Sequence, residues 1–294
     1  MMDWLTTGIG GLNTATNALG NILAPIALVP GWLSITAIAI ATGAALLLMF
    51  KHTSNQRAIK RIRKGIRANL LAVKLFRDDI GLAFRSLGLV LLGALKLLLQ
   101  AIVPLLVMMV PVTLFVAQLA LWYQARPLHV GEEAVVTVKL NGEAGSPMPA
   151  VSLEPTPGIE DASGPVRAMS TREVCWNIVA RKPGYHTLRF NIDGQSYEKE
   201  LAVGDGFMRV SMKRPEWDFE DVLAHPRENA FHRDSPVKSI EIQYSTRASR
   251  ISGTDRYEET ALSWMNQVGW WAGYWFVVAC IAGFLLRGVL KVNF

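Results

Sequence analysis

The chain has little of what most chemistry requires. Its 294 residues hold two cysteines, five histidines and only 18% charged side chains. Cys280 falls in an apolar run and Cys175 in a polar region, so the reading is two free thiols and no disulfide framework. His225 and His232, the closest histidine pair, are seven residues apart, with no compact set of metal ligands around them. No nucleophile-elbow motif is present. No catalytic residue, metal or cofactor is therefore assigned, and the reading is of a non-enzyme. Charge is missing from the N-terminus too: before Lys51 the only charged side chain is Asp3. A secretory signal would begin with a positive region. The absence of one predicts a first segment on the outer side of a membrane.

What is abundant is apolar sequence in blocks. Hydrophobic residues make up 51% of the chain and mean hydropathy is +0.25. Residues 33–50 (LSITAIAIATGAALLLMF) read as a first transmembrane helix. Eighteen residues rise about 27 Å, enough to cross hydrocarbon. A second span is expected at 98–123, containing Pro104 and Pro111 and ending in Trp122 and Tyr123, where an aromatic belt belongs. A third is expected at 268–286 (VGWWAGYWFVVACIAGFLL), with Trp264, Trp270, Trp271, Tyr274 and Trp275 at its outer end and Arg287 and Lys291 at its inner end. Ahead of the first span, residues 1–32 place Trp4, Ile9, Leu12, Leu19 and Leu23 among small and polar residues, spacing that suits an outer interfacial helix. Pro25, Pro30 and Gly31 break it.

Between the first two spans lies a basic stretch, 51–97. Ile59, Ile62, Ile66, Leu70, Val73 and Phe76 recur at three- and four-residue steps, and Arg57, Lys60, Arg61, Arg63, Lys64 and Arg67 fill the other face. This is an amphipathic helix. Asp78 and Asp79 mark a turn, and a second arm from about residue 80 grades into the second span. Short loops rich in Lys and Arg stay in the cytoplasm, which sets the N-terminus outside and the 287–294 tail inside. The net charge of +6 is accounted for by this topology and by anionic lipid headgroups, not by specific nucleic-acid binding.

The region 124–267 is polar and extracytoplasmic in this topology. VGEEAVVTVKLNG alternates at Val135, Val136, Val138 and Leu140 before an Asn-Gly turn. Residues 172–206 read as two or three strands with turns at Pro183-Gly184 and Asp193-Gly194, and VKSIEIQYSTR as another. Residues 214–236 are charged and broken by Pro, hence loop or short helix. The fold class expected is an α-helical membrane protein with three transmembrane helices and a cytoplasmic helical hairpin, carrying an all-β, sandwich-like outer domain.

The stretches NQRAIKRIRKGIRANL (55–70) and VPLLVMMVPVTLFVAQLALWY (103–123) resemble the YidC/Oxa/Alb membrane insertase superfamily. Its pattern is an outer interfacial helix, a span, a basic cytoplasmic hairpin and a proline-spaced span. The resemblance covers roughly the first 125 residues and the last span, and the β-domain is an addition to it. It implies a polar groove that helps weakly hydrophobic segments into the bilayer without covalent chemistry. The groove candidates are Thr36, Thr42, Lys96, Gln100, Thr113 and Gln118, with Ser34 beside them. Implied partners are membrane lipids and client membrane proteins, with the ribosome as a further contact of the hairpin. Bacterial relatives carry an arginine in the first core span; no charged residue lies between Leu33 and Phe50 here, which leaves that role missing or displaced to Lys96. The second reading is an accessory subunit of a larger membrane complex, docking partners through its β-domain. The expected location is a cell inner membrane, crossed several times.

Overall fold

A computed structural model describes residues 3–20, 31–75, 80–143, 146–246 and 270–290. Asp78-Asp79, Pro25, Pro30, Leu23, Phe76, Trp264 and Lys291 lie outside the described residues. The chain divides into two compact units: residues 1–34 with 113–272, and 35–112 with 273–294.

The second unit is helical. α2 (Gly31–Thr53) and α4 (Ile80–Tyr123) are both long and apolar enough to cross a membrane. α6 (Trp270–Leu286) is shorter, with 17 residues. Between α2 and α4 lies α3 (Gln56–Leu75). The break from α2 is set by Asn55, whose side chain accepts from the Ala58 N–H at 3.0 Å and caps α3. The arm expected from residue 80 and the span expected from residue 98 are one unbroken helix of 44 residues. Pro104 and Pro111 sit inside it.

The first unit holds α1 (Asp3–Gly20) and two antiparallel sheets. The strands are β1 (Glu133–Leu140), β2 (Val151–Leu153), β3 (Ile159–Ala168), β4 (Glu173–Ala180), β5 (Gly184–Ile192), β6 (Gln195–Val203), β7 (Lys213–Arg214) and β8 (Val237–Ile242). One sheet runs β3-β4-β1-β8-β7 and the other β2-β5-β6. Val136, Val138, Trp176 and Ile178 of the first share a core with Leu188, Phe190, Ile192 and Leu201 of the second. Trp176 and Phe190 meet with ring centroids 5.4 Å apart. Burial alternates along β1 and β4, as a sheet with one wet face requires.

The two turns read from sequence differ in kind. Asp193 and Gly194 both take positive φ, 49° and 79°, and close a two-residue hairpin between β5 and β6. Pro183-Gly184 instead carries the chain from one sheet to the other. The Asn141-Gly142 turn likewise makes no hairpin, since β1 pairs with β4 and β8. The charged stretch 214–236 contains one short helix, α5 (Phe219–Ala224), capped by Asp218.

Helix α1 packs one edge on the β-domain. Its buried residues include Thr6, Ile9 and Asn13, and Leu12 is exposed. Asn13 donates to the Val222 carbonyl at 2.6 Å and Asn17 to that of Pro226 at 2.5 Å. The helix is held to the β-domain by its polar edge, because two Asn at four-residue spacing reach carbonyls at the end of α5.

Candidate functional site

In the helical unit, α2 buries Ile35, Ala39 and Leu47, a four- and eight-residue repeat with Gly43 between them. Gly43 is there because α6 comes too close for a side chain. A Cβ at Gly43 would overlap the Ala279 carbonyl, and a Cβ on Gly283 would lie 3.6 Å from the Gly43 carbonyl. Small residues four apart allow this backbone approach between apolar helices. Thr36 and Tyr274 share a hydrogen bond of 2.8 Å across the same pair. Toward the other end, Lys51 donates to the Leu290 carbonyl at 2.9 Å.

α3 returns along α4. A Cβ on Gly93 would meet Ile66 at 2.6 Å, so the missing side chain seats the isoleucine, with Ile62 next to it. Ile59 is buried on the same face. The opposite face carries Arg57, Lys60, Arg61, Lys64 and Arg67, all exposed, with Arg63 half-buried. Among the described residues none of these six cations forms an ion pair.

In the other unit, the C-terminal end of α4 is built into the β-domain. Leu119, Trp122 and Tyr123 are buried. Phe207, on the loop after β6, stacks on Trp122 at 6.0 Å and meets Tyr123 edge-on at 5.3 Å. Tyr123 shares a 2.8 Å hydrogen bond with Ser34 and packs on Trp271. Two residues past Phe207, Arg209 is 4% exposed and donates to Gln118 Oε1 at 2.7 Å and Asn17 Oδ1 at 2.9 Å. Gln118 in turn donates to Thr16 and Asn17, each at 3.1 Å. Burial lowers the Arg209 pKa, with Arg227 adding to the shift, but a guanidinium starts so high that it stays charged.

The six groove candidates are divided between the two units. Thr36 is bonded to α6, and Thr42 donates back to the Ile38 carbonyl at 2.6 Å. Lys96 is exposed and Gln100 half-buried on α4. Thr113 and Gln118 belong to the other unit, where the Gln118 amide is committed to the Arg209 cluster. Arg209 and Asn17 were not read from sequence. The Asn13–Asn17 spacing was a usable sign; an arginine in a loop is not.

The β-domain holds a second buried polar cluster. Lys199 has no exposure, and its Nζ lies 2.5 Å from Glu228 and 3.2 Å from Ser211 Oγ. A Ser–Lys pair can serve as nucleophile and base only if the amine is free to take a proton. Here Glu228 accepts from both Lys199 and Ser211, which makes the cluster an ion-pair anchor. A cavity of about 120 Å³ nearby is lined by Gln124, Lys213, His225 and Arg227. Its two full cations are already matched, Lys213 by Asp221 at 2.9 Å and Arg227 by Glu200 at 2.7 Å.

No family model, curated protein or solved structure matches the chain. The functional reading rests on its own residues.

Proposed function

We propose that this protein is an insertase-like factor for membrane-protein biogenesis. α2, α4 and α6 are its three membrane-spanning helices, and α3 with the inner half of α4 is its cytoplasmic hairpin. One observation carries the reading. A helix with seven cations, none of them in an ion pair among the described residues, folds back on α4, directly between the two helices long enough to span. Cationic segments remain cytoplasmic, which puts the β-domain outside. Trp32 and Trp270, 64% and 54% exposed, fit the outer aromatic belt.

The work required is physical. A charged or strongly polar group costs a few kcal/mol at the bilayer centre. A protein lowers that cost by offering polar groups and water along part of the path. Lys96 and Gln100, four residues apart on α4, are the side chains still available at the inner entrance. Thr36 and Thr42 serve helix packing instead. The experiment is reconstitution of the full chain in liposomes with a small client whose single span is weakly hydrophobic. Protease protection of the client's short translocated tail is expected to rise above that in empty liposomes. Protection equal to the empty control would sink the proposal.

The second reading, an accessory subunit, has its own support. Gln118 and the outer three turns of α4 are committed to the β-domain, so that end serves as a mount. Purification in mild detergent separates the two. A stoichiometric partner lost when the β-domain surface is altered favours the subunit, and a varied client set favours the insertase.

A further inference from the structure

α4 is too long for one crossing. Its 44 residues rise about 66 Å, against a hydrocarbon core of about 30 Å. The excess is no ordinary cytoplasmic helix. Ile80, Phe84, Leu87, Leu91, Leu95 and Leu98 recur at three- and four-residue steps and are between 46% and 71% exposed. At 100° per residue they lie on the side of the helix away from Gly93, where α3 packs. The same stripe continues without a polar break through Ile102, Leu105 and Met109, all exposed. A contiguous apolar face of this size is not left in water.

We infer that the inner half of α4, with α3 on its back, lies in the cytoplasmic leaflet of an anionic bilayer. Three observations choose lipid over a protein cover. The apolar stripe is continuous with the part of α4 that crosses the membrane, so one solvent covers both. Arg85 and Lys96 are exposed on one flank of the stripe, where side chains reach up to headgroups. The hairpin, 51–97, carries eleven Lys and Arg against two acids, Asp78 and Asp79, and the cations of α3 form no ion pair among the described residues. That charge balance suits an anionic leaflet and disfavours a second copy, which would bring the same cations. Pro104, which has no N–H for the Gln100 carbonyl, lies where a bend between leaflet and span would fall. The inference rests on reading α2 and α4 as spans and is independent of insertion activity.

The test uses the full chain in client-free phosphatidylglycerol nanodiscs. Cys175→Ser and Cys280→Ala remove the native thiols, and a nitroxide is attached at Phe84→Cys or Leu91→Cys. Severalfold greater accessibility to oxygen than to a water-soluble nickel chelate is expected at both sites. Replacement by phosphatidylcholine is expected to reduce that preference, and an unchanged preference would overturn the choice of an anionic leaflet. Nickel-accessible labels would place the helix in water. Labels shielded from both reagents would place it under protein, a second copy or another chain. Either result overturns the inference and leaves the liposome insertion assay to decide the proposed function by itself. The unmodified chain gives an independent reading with a photoactivatable phospholipid. Adducts are expected within residues 80–98, and adducts confined to residues beyond 102 would overturn it.

Discussion

In the β-domain Lys199 is fully buried against Glu228, and Arg227 holds Glu200 at 2.7 Å. In the helical unit Arg57, Lys60, Arg61, Lys64 and Arg67 are exposed, with no ion pair among the described residues. Apolar groups show the same contrast. Leu188, Phe190 and Ile192 have no exposure, whereas Leu91, Leu98 and Leu105 exceed 60%. One unit satisfies its groups internally, and the other presents them outward. A self-contained sandwich needs only water around it. The helical unit needs surroundings that are apolar along α4 and anionic or aqueous at α3, which the membrane and cytoplasmic surface of the proposed topology would supply. Function is therefore sought in the unit with unsatisfied surfaces.

The largest break in this contrast is expected at Lys199. Lys199→Ala leaves the Glu228 carboxylate in a largely buried site without its cation, which costs about 3–5 kcal/mol. Thermal unfolding followed by near-ultraviolet dichroism should show the β-domain melting well below the wild type. A variant with unchanged melting would show the pair to be hydrated. Next is Gly43→Leu. The new side chain has no room against the Ala279 backbone, and overpacking costs about 1–3 kcal/mol. The α2–α6 contact is read by a short thiol cross-linker between cysteines at Thr36 and Tyr274, whose hydroxyls meet at 2.8 Å, in a chain without the native thiols; the link should form more slowly in the variant. Equal rates would mean that the two helices are not tightly packed.

A comparable loss is expected from Gln118→Leu. The Arg209 guanidinium then loses its 2.7 Å acceptor in a buried site, at a cost of about 1–3 kcal/mol. Because Thr16 and Asn17 lose their donor as well, α1 should become more susceptible to protease. Protection at the wild-type level would assign the anchoring to the bonds of Asn13 and Asn17 to the Val222 and Pro226 carbonyls.

Smaller still is the acid response of Asp221. Its burial would raise the pKa, but hydrogen bonds from His225, Lys213 and the Glu216 N–H outweigh this and hold it at about 2. A carboxylate depressed in the folded state stabilises fully above its ordinary value of 3.8. That stabilisation is lost as pH falls from about 4 through about 2, and amounts to at most about 2 kcal/mol. Asp221→Asn should flatten the stability–pH curve of the domain in that window. A curve that keeps its slope would place the acid sensitivity on another carboxylate.

These effects also separate what the sequence could disclose from what it could not. The apolar runs, the basic amphipathic helix and strands β1, β4, β5, β6 and β8 were legible, because each has a period or a composition set by one buried face. β3 was not. Its interior residues are all exposed, so neither face imposes alternation. Nor could the pairing of β1 with β8, about a hundred residues on, be read from local pattern. Of the site, α3 was legible and the fate of Gln118 was not. A glutamine in an apolar run looks like a groove residue, and only the fold brings Arg209 to it.

The smallest stability effect belongs to the residues with the largest proposed role. Replacing Arg57, Lys60, Arg61 and Lys64 by Gln removes four exposed cations that bond to nothing described in the chain. Glutamine is nearly as good a helix former as Arg or Lys. Each change should lie within about 0.5 kcal/mol of neutral, so the melting temperature of the full chain should hardly move. Two other readouts should move strongly. In the proposed topology the segment between α2 and α4 loses cations that hold it inside, so a tag placed in it should become accessible from the outer side in part of the population. Retention on anionic over zwitterionic surfaces should fall, at roughly 1 kcal/mol per cation near the headgroups. If the quadruple variant instead melts early, α3 is held by ion pairs of its own and belongs with the closed, self-satisfied half of the molecule. If melting, topology and lipid preference all stay constant, the basic face of α3 has no role at the membrane surface.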